Sequence, residues 1–362
     1  MSAKPDFSKP RDSGSLDFIP ADTDCGRAAR AVDWAATPLG DPSTWSPVLR
    51  MMVPFVLANR FPQMLWWGPD YINIYNDAYA PVLGAKHPWA MGIPVRDAWS
   101  EVWDVLQPLI DTPFHGGPAT WIEDFDLELR RHGFVEESHF TVAYSPVPDE
   151  STPSGIGGVL ATVHEITQKV IGERRVGILR DLARVAESRT DVEACLSAAD
   201  ILAKHPKDVP FALLYLLDAD GRTLTLVSRT GIDAAAAGEA RIDLGAKTAD
   251  LRWPLGEALR AERTQIARRV AGLPPISYGA ATHVPEAVAV VPIKSNIAHK
   301  PAGALVVGIS PRIRLDELYS SFLELVGSQV ATAVANARAY EEERRRAASL
   351  AELDRAKTAF FS

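Results

Sequence analysis

The sequence predicts an α+β chain in which two antiparallel sheets, each carrying helices, are joined and followed by long helices. Three observations predict it. Short apolar runs bounded by turn residues fill two separate regions, Gln63 to His164 and Phe211 to Ile309, as strands do. Between and after these regions the apolar spacing changes to three and four, the period of one helix face. The last stretch, Leu315 to Ser362, contains no Pro and almost no Gly. A length of 362 residues fits two domains with linkers.

Composition narrows the function classes. A hydrophobic fraction of 47% with 23% charged residues leaves material for two cores. The net charge of -8 and the lack of a basic block argue against a nucleic-acid partner. No apolar run approaches the roughly 18 residues of a membrane span, and Met1 to Pro20 has no apolar signal-peptide core. The expectation is therefore a cytoplasmic protein with no membrane partner. Cys25 and Cys195 lie far apart, which fits a reducing compartment and excludes a CxxC zinc site.

In order, residues 1–24 are rich in Ser, Pro, Lys and Asp and are expected to be disordered. Residues 25–60 read as a helical extension: a short helix from Gly26 to Trp34, a turn-rich Thr37 to Pro42, and a second helix to about Arg60. Ser46 caps that second helix and Pro47 occupies its first turn. Strands follow at Gln63 to Trp67 and Tyr71 to Tyr75, joined by Gly68-Pro69-Asp70. Short helices fill Asn76 to Leu83 and Ala98 to Ile110. Three more strands are Thr120 to Leu129, with Trp121, Phe125, Leu127 and Leu129 on one face, then Phe134 to Val147 and Gly157 to His164.

Residues 168–185 form a connector helix with Ile171, Ile178, Leu182 and Val185 on one stripe. A further helix runs to Ala203 and is ended by His205-Pro206. Strands Phe211 to Leu217 and Thr223 to Thr230 flank the turn Asp218-Ala219-Asp220-Gly221. Trp253 to Ala261 reads as a helix, Gln265 to Val270 as a strand, and Ala287 to Ile293 with Ala302 to Ile309 as buried central strands.

The final helix carries a stripe of Leu318, Phe322, Leu325, Val330, Ala333, Val334 and Ala337. Glu341 to Glu343 then face Arg344 to Arg346 at i,i+3 and i,i+4, which supports a solvated helical rod. Apolar spacing resumes at Leu350, Leu353 and Phe360, with Lys357 between them, and these residues need another helix to cover them. A homodimer follows, with Ile178, Leu182, Val185, Leu350, Leu353 and Phe360 as its dimer and signalling positions.

The strand and helix order of residues 61–167 resembles a PAS domain. The resemblance is carried by Asn76-Asp77-Ala78-Tyr79 with Leu83-Gly84, and by His164-Glu165-Ile166-Thr167 in the place of a closing Asp-Ile-Thr, Glu standing for Asp. Trp34-Ala35-Ala36-Thr37-Pro38-Leu39-Gly40 is similar to the extension that precedes PAS domains in some bacterial sensor kinases. Residues 174–340 resemble a GAF domain, through the Asp-Ala-Asp-Gly hairpin, the strands Val288 to Ile293 and Gly303 to Gly308, and the closing helix Phe322 to Ala339. Leu353 to Ser362 resembles the run into the dimerisation helix of sensor histidine kinases, where a phosphoacceptor His follows. The sequence stops before any such His, so residues 341–362 read as a signalling helix leading to a kinase core.

These resemblances imply the sensory region of a bacterial two-component histidine kinase, a parallel homodimer acting on a response regulator through that kinase core. ATP-dependent phosphotransfer would belong to the parent protein, with no catalysis in this chain. Other outputs, a phosphatase or a cyclase, fit the same sensor plan. So does a haem- or bilin-binding photoreceptor or gas sensor.

The PAS-like part is rich in aromatics, and Trp66, Tyr75, Tyr79, Trp103, Trp121, His139 and Tyr144 are candidates to line a ligand pocket. Completing a core is the plainer role for such residues. Flavin photochemistry would need a Cys between the second and third strands, and Asn76 to Thr120 has none. His87, His115, His132 and His139 are the imidazoles a haem could use, each more simply a surface or hydrogen-bonded side chain. A bilin on Cys25 lacks its accompanying Asp-Ile-Pro motif, which leaves Cys25 an ordinary thiol near a flexible segment. Gly155-Ile156-Gly157-Gly158 precedes a strand and reads as a turn, and Glu123-Asp124 and Glu136-Glu137 alternate along strands, where solvent-facing charge is the default. No nucleotide, hydrolase or zinc-protease motif is present. The expectation is no metal, no catalytic residue and no cofactor beyond room for an unidentified small ligand.

Overall fold

A computed structural model describes residues 16–245, 252–270, 272–278, 281–294 and 301–360, with the side chains of 278, 281 and 356–360 outside that description. The chain divides into two compact units, Met1–Val170 and Ile171–Ser362.

In the first unit, helix α1 (Asp24–Ala31) and helix α2 (Pro47–Ala58) precede strands β1 (Gln63–Trp67) and β2 (Ile72–Tyr75). Short helices α3 (Ala80–Leu83) and α4 (Val95–Ala98) and the longer α5 (Trp103–Phe114) lead to β3 (Thr120–Leu129), β4 (Glu136–Pro148) and β5 (Ile156–Glu165). The strands form one antiparallel sheet in the order β2-β1-β5-β4-β3. Ser46 accepts from Leu49 N at 3.1 Å with Pro47 in the first turn, so α2 begins where capping chemistry puts it. Asn59 is already extended, which ends the helix at Ala58.

Helix α6 (Thr167–Ala183) passes from the first unit into the second. There α7 (Asp191–Leu202), β6 (Ala212–Leu217), β7 (Thr223–Thr230), α8 (Ala234–Ala237), β8 (Arg241–Asp243), α9 (Leu255–Ala261) and β9 (Gln265–Arg268) follow. A small hairpin of β10 (Ile276–Tyr278) and β11 (Ala281–His283) precedes β12 (Ala287–Lys294), β13 (Pro301–Gly308) and α10 (Glu317–Phe360). The antiparallel order is β8-β7-β6-β13-β12-β9, with the two apolar strands β13 and β12 inside the sheet as expected. One core cluster gathers α6, α7 and α10 residues with Leu214, Ala289 and Leu305 of the sheet, and another gathers Trp253 and α9 residues with Leu213, Val288 and Val306. Successive residues of one strand thus serve opposite faces. A Cβ on Gly327 of α10 would lie 2.4 Å from Val291 Cγ1, so glycine lets this helix approach β12.

Several expectations need correction. Residues 1–15 lie outside the described residues, but Leu16 to Thr23 are packed rather than disordered. Leu16 and Ile19 are buried, and Arg30 donates to both of their carbonyls at 2.8 and 2.9 Å. The helical extension shares one core with the sheet of the first unit. Cys25 is fully buried in α1, its N–H bonded to the Asp77 carboxylate at 2.7 Å, so it is not a thiol beside a flexible segment. Burial, with Asp77 adding to it, pushes the Cys25 thiol far above its ordinary value.

Trp121 does not share a face with Phe125, Leu127 and Leu129. A bulge between Ile122 and Phe125, with Asp124 at φ 52, adds a residue and turns Ile122 inward while Trp121 is 62% exposed. Glu136 and Glu137 are buried, not solvent-facing. On α10 the buried stripe is Tyr319, Phe322, Leu323, Val326, Val330, Ala333, Val334 and Ala337, whereas Leu318 and Leu325 are exposed. Ile178, Leu182 and Val185, read as dimer positions, are buried in the second unit's own core because the end of α6 packs with α7 and α10.

Candidate functional site

Between the sheet of the first unit and its helices lies an apolar cavity of about 30 Å³. Trp66 of β1, Tyr79 and Val82 at α3, Trp99 after α4, Leu106 of α5, and inward residues of β3, β4 and β5 line it. Every contributor from β3 and β4, namely Leu127 and Leu129, then Phe140, Val142 and Tyr144, is at even spacing along its strand, as one sheet face requires. A volume of this size holds a water or a very small guest, and its apolar wall favours a dry interior. Anything larger must displace side chains.

Of the predicted pocket residues, Trp66, Tyr79 and Tyr144 line the cavity. Trp66 meets Tyr144 edge to face at 5.0 Å, and its indole N–H points to Met64 Sδ at 2.9 Å. Burial holds the phenols of Tyr79 and Tyr144 well above their ordinary value, so both stay neutral. Tyr75 belongs to the floor beside it, its hydroxyl bonded to His87 Nδ1 at 3.1 Å and Pro88 O at 3.3 Å. Trp103 packs on Tyr71 in a separate recess, and Trp121 lies on the surface. None of His87, His115, His132 or His139 is among the cavity's lining residues. Trp99, one of the region's aromatics but not among the pocket candidates, also lines the cavity, and its ring has the Lys86 ammonium 3.8 Å from its centre while that ammonium pairs with Glu101. Sequence reasoning passed over Phe140, Val142 and Val163, which the alternation of β4 and β5 could have supplied.

At the exit of this unit lies a buried polar network. Arg131 reaches Glu136 at 3.0 Å and grips Glu165 through both terminal nitrogens at 2.7 and 2.6 Å. The Thr167 hydroxyl donates to Glu165 at 2.9 Å and accepts from His139 N at 3.0 Å, and Ile166 N donates to His139 O at 2.8 Å. Thus the Glu-Ile-Thr run fastens the start of α6 to β4. Burial alone would raise the Glu165 carboxyl, but Arg131 and Thr167 bring it below the ordinary carboxylate value. His139 is held between Glu137, 3.0 Å from Nε2, and Asp124, 2.5 Å from Nδ1. With a carboxylate at each nitrogen the ring is best satisfied as imidazolium. The Glu137 bond first, then Asp124 against the cost of burial, raises its pKa.

Among the described residues no group of three or more His, Cys, Asp or Glu is arranged to hold a metal ion, and no helix is long and apolar enough to cross a membrane. Leu350 and Leu353, expected as dimer and signalling positions, are each 66% exposed on α10, and the side chain of Phe360 lies outside the described residues.

No family model matches the chain, and no curated protein matches its sequence. Solved structures similar to part of it include the GAF domain of a phosphoenolpyruvate-protein phosphotransferase from Acinetobacter, 19% identical, spanning 47% of this chain and 98% of that one, with a TM-score of 0.35. The corresponding GAF domain from Coxiella burnetii is 17% identical over 46% of this chain and 96% of its own, TM-score 0.35. A free methionine-R-sulfoxide reductase from Neisseria meningitidis is 20% identical over 45% of this chain and 90% of its own, TM-score 0.34.

Proposed function

We propose that the chain is the sensory and signal-transmitting region of a bacterial, cytoplasmic two-component sensor histidine kinase. In this reading residues 61–167 are a PAS-like unit, 174–340 a GAF-like unit, and 341–362 a signalling helix that leads to a kinase core, through which a response regulator is reached. The observation that carries it is α10, which packs into the second core at Tyr319 and Phe322 and continues unbroken to Phe360, its side chains exposed from Glu342 to Arg355. A globular unit has no packing use for the exposed leucines Leu350 and Leu353, whereas a parallel second copy would bury them. The chain itself performs no chemistry. The apolar cavity is the place for an unidentified small ligand, and α6, fastened through Thr167, is the path by which a change there leaves the first unit.

Transmission of this kind depends on helix phase. The test joins residues 1–362 to a histidine kinase core of measured activity and inserts one, four or seven residues after Arg346. Autophosphorylation altered by one or four residues and restored by seven is expected; activity indifferent to all three insertions sinks the reading.

A further inference from the structure

A second recess of about 510 Å³ opens on the first unit, between the β1–β2 hairpin and α5. It shares no lining residue with the apolar cavity. Its wall carries the rings of Tyr71, Trp103 and Phe114 among polar side chains that include His115. Tyr71 meets Phe114 edge to face at 4.9 Å and 79°, and leans on Trp103 at 6.3 Å and 51°. Asp70 and Asp111 add carboxylates, and Arg96 is the one guanidinium lining the recess. Asp111 is held in place, accepting from the Tyr71 hydroxyl at 2.5 Å and from Gln107 Nε2 at 3.3 Å.

Two features separate this arrangement from plain core packing. Tyr71 sits at φ 50, a left-handed conformation that a β-carbon disfavours and that glycine adopts without strain. A turn residue selected for its backbone alone would not be tyrosine; this position spends conformational strain to place a ring and a hydroxyl. Tyr71 itself is buried, but the Trp103 and Phe114 rings are only half-buried and line the recess beside the half-buried Asp70 and Asp111.

From this we infer that the recess binds a small organic cation carrying an alkylated ammonium head. Ring faces are the negative ends of aromatic quadrupoles, and the Asp111 carboxylate beside them adds a full charge. An alkali cation would have to exchange its hydration shell for too few oxygens here, whereas a methylated ammonium is weakly hydrated and buries its methyl groups against Trp103 and Phe114. Arg96 is 60% exposed and its ion pair with Asp97 is long, 3.9 Å, so its guanidinium can exchange that contact for a carboxylate on the same ligand. A simple alkylammonium and a betaine-type zwitterion share the recognised head and differ at Arg96.

The test titrates the full chain with tetramethylammonium chloride against sodium chloride at equal ionic strength, read by calorimetry and tryptophan fluorescence, and then with choline and glycine betaine. Saturable binding of tetramethylammonium is expected, absent with sodium. Asp111→Asn, which keeps an acceptor for the Tyr71 hydroxyl, and Trp103→Leu should each weaken it about tenfold. Arg96→Gln, at an exposed side chain, should leave tetramethylammonium binding intact or tighter, and a loss confined to betaine identifies the zwitterion. No saturation by about 50 mM in folded wild-type protein, or affinities unchanged in both Asp111→Asn and Trp103→Leu, overturns the inference.

Discussion

Arg131, in the turn between β3 and β4, and Glu165, the last residue of β5, form a two-pronged ion pair with nitrogen to oxygen distances of 2.7 and 2.6 Å. Thr167, the first residue of α6, bonds to the same Glu165 carboxylate, so this pair sets where the helix leaves the sheet.

Glu165→Ala should therefore both destabilise the first unit and loosen the start of α6. Arg131 is only 7% exposed and would keep Glu136 as a partner. Because Glu165 is itself 31% exposed and Glu136 still neutralises Arg131, the loss should be that of charge-assisted hydrogen bonds, about 1.5–3 kcal/mol. Thermal unfolding followed by tryptophan fluorescence reads the first unit, since every tryptophan but Trp253 lies in it. Faster amide exchange at 167–171 is the accompanying sign, and unchanged exchange there would separate stability from helix anchoring.

Stability of the first unit should fall on the alkaline side. His139 has a folded-state pKa raised above its ordinary 6.5 by Glu137 and Asp124, so its contribution is fully present below 6.5 and is lost as pH rises through the folded value. Glu165 has the opposite sign: its lowered pKa gives stability that is present above its ordinary 4.5 and lost as pH falls through the folded value. His139→Gln should flatten the alkaline limb and leave the acid limb. Melting temperature against pH for both proteins checks this.

Gly84→Ala should be costly although the change adds one methyl group. Gly84 has φ +55, and a Cβ would lie 2.6 Å from Arg131 O, the carbonyl that accepts from Ala85 N. Left-handed strain alone costs about 1–3 kcal/mol, and the clash adds to it. A denaturation midpoint within error of wild type would refute the argument.

Much of the fold was legible. The β6–β7 turn, the apolar strands β12 and β13, and the cap of α2 follow from local chemistry that neighbouring residues carry. Trp121 was misplaced because a bulge leaves no mark in a period-two pattern. Leu16, Phe18 and Ile19 were lost in a polar average, though three apolar residues in four positions are enough to join a core. For the candidate site, aromatic richness pointed to Trp66, Tyr79 and Tyr144, but could not tell them from Trp103 and Tyr75, which differ only in tertiary position. The Arg131–Glu165 pair spans 34 residues and depends on two strands meeting through a third element's register.

The proposed dimer makes a separate prediction. Leu350 and Leu353 on the rod, with Leu318 and Leu325 nearer its base, are the exposed leucines of α10, and burying each contributes about 1.5–3 kcal/mol. The chain should sediment as a dimer at micromolar concentration, and a version ending at Ala339 should shift towards monomer. A monomeric full chain rules the dimer out; an undiminished dimer after truncation moves the contact to the base of α10 or elsewhere in the units.

In the second unit, Arg175 of α6 lies 4.4 Å from the centre of the Tyr319 ring and 5.0 Å from that of Phe322, and its Nε donates to Asp208 at 3.0 Å. Arg174 pairs with the same carboxylate, and the Tyr319 hydroxyl bonds to the Asp208 carbonyl. Sliding α10 by one turn, about 5.4 Å, would carry both rings out from under the guanidinium and break the phenol bond together. Twisting or bending of the rod beyond Ala337 disturbs none of these contacts. The root of the helix is thus pinned against piston travel, and the compliance of α10 lies in its exposed tip.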